Sequence, residues 1–381
     1  MTTQTHPVVT EGTWRSRAPE ATWEHMRPLL RRYGITRVAD VTGLDDIGLP
    51  VFQAVRPASR TLSVSQGKGV TPLLAKLSAI FEAVELWHAE RPSLPTIETT
   101  LSVSATYPPS CFQLRVPDEI ARTVQFRWVQ GVGLRSKQTQ LVPFDLVRLS
   151  HTAEEDGEPA IFKTSSTGLA SGNTLDEATL HALFEILERD VLSDLTEFGA
   201  DSRIIVDLHH LTEPTLVGLV HRLQTAGVDL ELSMVPNRYG IPTSTAHIWS
   251  PQFPETCAGS GAHLDPVIAA TRAITEAIQT RLTCISGMRD DLPSMVTAFD
   301  GYRTPPTFQQ HGASWGAAVE AFAHAPSPDI ASAVDSVADV LGEQNGWEPV
   351  VVDLSTRRED FSVVRVVAPG ARFTARGYVP R

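Results

Sequence analysis

Apolar and polar positions alternate along the chain in blocks that predict both helices and strands. Three long stretches carry apolar residues around most of a helical circumference. The first, about 73–90, presents Leu73, Leu74, Leu77, Ile80, Phe81, Val84, Leu86 and Trp87. The second begins within 164–190, and the third covers about 266–285. Helices of this composition are normally buried. Shorter helices are expected at 19–34, stopped by Gly34, at about 212–226, and at 330–346, ending at Gly346. Strands are expected in 60–69, 123–134, 139–147, 203–208, 228–236, 243–249 and 348–370. Segments 91–100 and 286–312 read as connections, and 151–160 as an acidic loop. Helix and strand mix without strict alternation, which places the chain in the α+β class.

Each long helix has a start signal and one narrow polar line. Thr71 and Pro72 open the first, whose line is Thr71, Ser78, Glu82 and Glu85. Thr174 and Glu177 form a capping-box pattern for the second, with Glu177, His181, Glu185 and Glu188 in line. Asp265 and Pro266 open the third, with Arg272, Glu276, Gln279 and Thr283. Spacings of three, four and seven residues return to one face. A solvated helix would carry a wide polar face, so these lines point inward. Burying carboxylates in pairs requires neutralisation, either by arginine or by a divalent cation. Arg189, Arg272, Arg281 and Arg289 are the arginines at hand. Oxygen-only ligands suit Mg²⁺ together with substrate phosphates. Ahead of the helices, "SQGKG" and "STGLASGN" read as glycine loops whose backbone N–H groups favour an anion, with Lys68 as a point charge. A nucleotide triphosphate is implied, although the P-loop spacing and the kinase signatures are absent.

Composition narrows the classes. The chain has 381 residues, 42% apolar and 20% charged, enough for a large core. The net charge of −12 and the lack of a Lys/Arg block argue against nucleic acid. Cys111, Cys257 and Cys284 are too scattered in sequence for a disulfide framework or a zinc site. The N-terminus lacks a signal-peptide core, and no membrane-spanning run occurs, so a cytoplasmic setting is expected. Glu85 and His88 form a Glu-x-x-His element, but neither of the other long helices carries its di-iron partner. Bland readings stand beside the sharp ones: Glu177 as a helix cap, Lys68 as a solvated turn residue, His181 and His263 as structural histidines.

The stretches "SQGKGVTPLLAKLSAIFEAVE", "SSTGLASGNTLDEATLHALFEILERD" and "GSGAHLDPVIAATRAITEAIQTR" together resemble the YcaO family, in order, from about 58 to 290. Residues 1–57 then form an N-terminal helix and strand region, and 58–381 the core of one continuous domain. The resemblance implies an ATP-binding α+β fold with mixed sheets and long buried helices. It implies an enzyme that activates a peptide backbone amide: a nucleophile adds to the amide carbon, and the oxyanion takes the γ-phosphoryl group of ATP. Its family pattern would make Glu82, Glu85, Glu185 and Glu188 the Mg²⁺ ligands. Lys68, Ser78, Asn173, Glu177, Arg189, Gln279 and Arg281 would surround the nucleotide. The substrate would be a ribosomally made precursor peptide.

Azoline-forming members often end in a proline-rich tail, whereas this chain ends "GYVPR". The stretch 12–57 is similar to members that work with a TfuA partner, which are linked to thioamide formation. Thioamide formation is therefore the leading expectation, with azoline-forming cyclodehydration and amidine-forming cyclisation as alternatives. A TfuA-like or leader-peptide-binding partner is expected, because the chain has no room for a fused leader-binding domain. A homodimer stays open. From other classes, a nucleotide-dependent docking scaffold and an ATP-dependent ligase remain as competitors.

Overall fold

The computed structural model describes residues 8–10, 12–100, 107–149, 160–287, 305–322, 327–356, 359–373 and 379–380. The acidic loop at 151–159, Arg289 and most of the 286–312 connection lie outside the described residues.

Strands β1 (Val8–Thr10) and β2 (Thr13–Arg15) pair ahead of helix α1 (Pro19–Met26). Strands β3 (Arg37–Asp40), β4 (Val51–Val55) and β5 (Val64–Lys68) form a three-stranded sheet that runs into α2 (Pro72–Glu90). Strand β6 (Thr96–Thr100), the short α3 (Asp118–Ala121), β7 (Gln125–Gly133) and β8 (Thr139–Pro143) follow. Strand β9 (Leu169–Gly172) leads into α4 (Leu175–Phe198). Next come β10 (Ile204–Ile205), α5 (Pro214–Thr225), β11 (Asp229–Met234), β12 (Thr243–Ser250) and β13 (Phe253–Ala262), which leads into α6 (Pro266–Ser286). Helices α7 (Trp315–Val319) and α8 (Ile330–Asn345) and strands β14 (Val350–Asp353) and β15 (Ser362–Val367) close the chain. One sheet has the order β6-β7-β14-β15-β9 with β8 on β7, and another runs β10-β11-β12-β13. Every ladder between these strands is antiparallel.

The expected helix over 19–34 is shorter in the fold. Pro28 lacks an N–H and crowds the preceding turn, so α1 ends at Met26 and one 3-10 turn follows. Segment 91–100, expected as a connection, contributes the edge strand β6 against β7. Three caps act as expected: Thr71 accepts from the Leu74 N–H, Thr174 from Glu177, and Asp265 from Val267.

The fold repeats one unit three times: β5 into α2, β9 into α4, and β13 into α6. Two of the glycines in "SQGKG" and "STGLASGN" are strand residues and not the loop residues expected. Gly67 lies within β5 and Gly172 within β9. A Cβ on Gly67 would sit 2.0 Å from the Ala79 nitrogen and 2.3 Å from the Ala75 oxygen. A Cβ on Gly172 would sit 2.5 Å from the Ala178 nitrogen. Gly259 and Gly261 of β13 meet Ala273, Ala277 and Ala269 in the same way. Each helix therefore lays a stripe of fully buried alanines, four residues apart, onto a glycine-bearing strand: Ala75, Ala79 and Ala83; Ala178 and Ala182; Ala269, Ala273 and Ala277. Strand β13 escapes the sequence pattern because its packing face is built from glycine instead of large alternating apolar residues. Three buried apolar clusters surround these units, holding α2, α4 and α6 respectively. No helix among the described residues is long and apolar enough to cross a membrane.

Candidate ATP and metal site

With the alanine face of each helix pressed on its strand, Glu82 and Glu85 of α2, Glu185 and Glu188 of α4 and Glu276 of α6 come within electrostatic reach of one another, directly or through Arg189, around one partly buried cleft. All four glutamates of the Glu-x-x-Glu pairs are fixed by donors from the glycine-bearing strands or the turn before β9. The Gln66 N–H donates to Glu82 Oε2 at 2.8 Å. The Ser171 hydroxyl donates to Glu85 Oε1 at 2.5 Å. The Gly168 N–H donates to Glu185 Oε2 at 3.2 Å, and the Ser260 hydroxyl to Glu188 Oε1 at 2.6 Å. Two of the backbone N–H groups read from the sequence as anion donors are thus committed to carboxylates. Gly168 has φ +83°, a left-handed conformation that glycine adopts freely.

These contacts also join the units. Ser171 of β9 holds Glu85 of α2, Ser260 of β13 holds Glu188 of α4, and Lys68 of β5 meets Glu276 of α6 at 3.2 Å.

Electrostatics follow from this crowding. Burial pushes the Glu85 carboxyl up to about 8, and the charges of Glu82 and Glu185 add to it. Burial also raises Glu185, with the Glu188 charge adding and Arg189 opposing. Arg189 is held firmly protonated: burial would weaken it, but Glu188, Glu276 and Glu185 outweigh that cost. Glu276 is held low by Lys68, Arg189 and Arg272 against the effect of burial. Arg365 of β15 is also in range: burial lowers it to about 10 while Glu185 pulls it up. Its Nη1 has no hydrogen-bond partner, although Nε and Nη2 bind the Leu146 and Ser165 carbonyls.

The other expected residues divide into two sets. Ser78 is exposed on α2, and Gln279 is half-buried on α6, on the lines that carry Glu82 and Glu276. Asn173 and Glu177 form a knot with the N-terminal segment. The Asn173 amide donates to both Glu177 oxygens, and its own oxygen accepts from Thr22. Glu177 also accepts from Arg15 Nη1 at 3.0 Å and from the Ser16 N–H and hydroxyl. Arg281 points elsewhere: it binds Asp45 and Ser250, each at 2.9 Å. His181 and His263 are kept neutral by burial, reinforced by nearby Arg272 and Arg15. His88 has both ring nitrogens engaged, one by the Val84 carbonyl and the other by Glu359.

Sequence reasoning missed Glu276 and Arg365 as site residues. Glu276 was visible as a member of the third polar line. Arg365 sits in an apolar strand, "VVRVV", where a lone buried cation is a signal of its own.

The chain matches the family described as YcaO cyclodehydratase, ATP- and Mg²⁺-binding, over residues 66–372. It is 35% identical to an uncharacterized protein of Mycobacterium tuberculosis over 94% of this chain and 82% of that one. The chain belongs to the YcaO family. A second relative, an uncharacterized protein in the tfuA 3′ region of Rhizobium leguminosarum bv. trifolii, is 34% identical over 93% of this chain and 88% of that one. Among solved structures, YcaO from Methanopyrus kandleri bound with AMPPCP and Mg²⁺ superposes with a TM-score of 0.75. It has 23% identity and covers 99% of this chain and 100% of that one. A heterocyclase in complex with substrate and cofactor gives 0.75 at 22% identity, over 97% of this chain and 55% of that one. The YcaO fold explains why α+β mixing, and not a Rossmann or P-loop order, surrounds this cleft.

The residues fit the family's ligands. Four oxygen-donor carboxylates from two helices share one cleft, and burial, with their mutual repulsion adding to it, raises Glu85 and Glu185. A divalent cation relieves that repulsion, and hard oxygen donors suit Mg²⁺.

Proposed function

We propose that the protein is an ATP- and Mg²⁺-dependent enzyme that activates backbone amides of a ribosomally made peptide, and that its product is a thioamide. The observation that carries the reading is the convergence of Glu82, Glu85, Glu185 and Glu188 on one cleft, each fixed by a strand or turn donor. Bound there, Mg²⁺ would neutralise phosphate charge and favour phosphoryl transfer. The chain's own residues do the positioning. Ser171 and Ser260 hold two carboxylates in fixed rotamers, so little reorganisation is needed when ligand arrives. Lys68, Arg189 and Arg365 supply fixed positive charge around the cleft. Ser78, Asn173, Glu177, Gln279 and Arg281 are proposed to act around the nucleotide, with Asn173, Glu177 and Arg281 acting indirectly through their contacts with Thr22, Arg15, Ser16, Asp45 and Ser250.

The relative in the tfuA 3′ region supports the thioamide reading and a TfuA-like partner that delivers sulfur or substrate. A second reading is azoline formation by a side-chain nucleophile. It is favoured by the family's description as cyclodehydratases and by the likeness to a heterocyclase.

The test is a mass balance on the precursor peptide, with the purified protein, its partner, ATP, Mg²⁺ and sulfide. A gain equal to sulfur minus oxygen at each site supports thioamide formation. Loss of one water supports ring closure and overturns it. No change of mass with a verified substrate overturns the enzymatic reading. Glu185→Gln should abolish ATP turnover in an enzyme and spare a docking scaffold.

A further inference from the structure

A second constellation lies on the β10-β11-β12-β13 sheet, away from the polar lines of the helices. Asp207, His209 and His311 bring three ligand atoms, one from each residue, within 4.8 Å of one another. Two separate segments supply them. Asp207 and His209 belong to the turn after β10, and His311 to the stretch before α7.

The backbone fixes the two segments side by side. Val206 and Ala313 form a parallel bridge. The Asp207 N–H donates to the Ala313 carbonyl at 2.8 Å, and the Ala313 N–H to the Ile205 carbonyl at 2.9 Å. The Leu208 N–H reaches the Gln310 carbonyl at 3.2 Å. A Cβ at Gly312 would lie 2.2 Å from the Ile205 oxygen, so only glycine permits this approach next to His311. The two imidazoles consequently stack, with centroids 4.6 Å apart and planes 13° from parallel.

We propose that Asp207, His209 and His311 form a site for a late first-row divalent cation, Zn²⁺ first, that clips the segment before α7 to the turn after β10. The donor set is two imidazoles and one carboxylate, a set that suits Zn²⁺ and not Mg²⁺. Tetrahedral bonds of about 2.0–2.1 Å place ligand atoms about 3.4 Å apart, so the widest pair of the cluster must close by up to 4.8 − 3.4 = 1.4 Å. Both histidines have the freedom to do so, with side chains 52% and 76% exposed. Solvent supplies the fourth ligand. Asp207 is already oriented: one oxygen accepts the His209 N–H at 2.9 Å, and the other is 3.1 Å from His210 Nδ1. Such outer contacts fix a ligating carboxylate. The site does not depend on the ATP reading.

The experiment is Zn²⁺ titration of the full chain by calorimetry, with excess Mg²⁺ present to occupy the carboxylate cleft. Wild-type protein should take up one equivalent that His209→Ala and His311→Ala lose, or bind at least about tenfold more weakly. The exposed control His221→Ala should keep it. Circular dichroism checks that the variants fold. Equal stoichiometry and affinity in wild type, H209A and H311A would overturn the site, as would no Zn²⁺ uptake by the wild-type chain.

Discussion

The glycine-on-alanine packing makes Gly67→Ala a demanding test of how the cleft is held. The added methyl would sit 2.0 Å from the Ala79 nitrogen, where ordinary contact begins at 3.4 Å, a deficit of 3.4 − 2.0 = 1.4 Å. The obstructing atoms are helix backbone, so no rotamer change relieves the clash. Helix α2 must move off β5 by more than about 1 Å, at a cost of about 1–3 kcal/mol typical of overpacking. The same helix carries Glu82 and Glu85, and Ser171 and Gln66 anchor both carboxylates to strands that do not move with it. A misplacement of about 1 Å lowers turnover by about 10²-fold. The assay pairs Mg²⁺-dependent ATP hydrolysis with thermal denaturation, using Gly218→Ala as the comparison. Gly218 lies in the exposed interior of α5 with nothing near its Cβ position. If G67A keeps both wild-type melting temperature and wild-type turnover, the close approach is wrong and so is the argument that it sets the cleft.

Gly218→Ala itself should raise stability by about 0.5–1 kcal/mol, seen as a higher denaturation midpoint, because alanine replaces the most entropically costly helix residue. Glu188→Gln should keep the fold but lower ATP turnover by at least about 10²-fold, since it removes one of the four carboxylates proposed to hold Mg²⁺. Thr174→Ala removes the cap that accepts the Glu177 N–H and should cost about 1 kcal/mol in urea denaturation. Stability should also fall in acid through Glu359. Its enclosed carboxylate is held down to about 2: burial would raise it, but hydrogen bonds from His88, Tyr33 and the Thr356 N–H outweigh that. A carboxylate depressed in the folded state stabilises fully above its ordinary value of 4.5 and loses that contribution as pH falls from there towards 2. The loss is at most about 3.4 kcal/mol, and Glu359→Gln should flatten the acid limb of a stability-against-pH curve.

Much of the site was legible because helix periodicity is local. Glu82, Glu85, Glu185 and Glu188 fall on inward lines whatever the rest of the chain does, and the caps at Thr71, Thr174 and Asp265 depend on neighbours within three residues. The glycines mislead for a related reason. Gly67 and Gly172 look like loop residues when only chain neighbours are considered, yet their role is to admit a helix backbone that arrives later in the sequence. Strand β13 was invisible because small residues pack by distance of approach, which leaves no alternating apolar signal.

The sequence by itself determined the three long helices, their polar lines, the paired carboxylates and the family. These rest on short-range geometry and on residue order. Only the tertiary structure decided that the lines meet in one cleft, that Glu276 and Arg365 join it, and that Asp207 and His209 stand beside His311. Those outcomes depend on how strands from distant parts of the chain pair, and strand pairing is set by packing across the whole molecule.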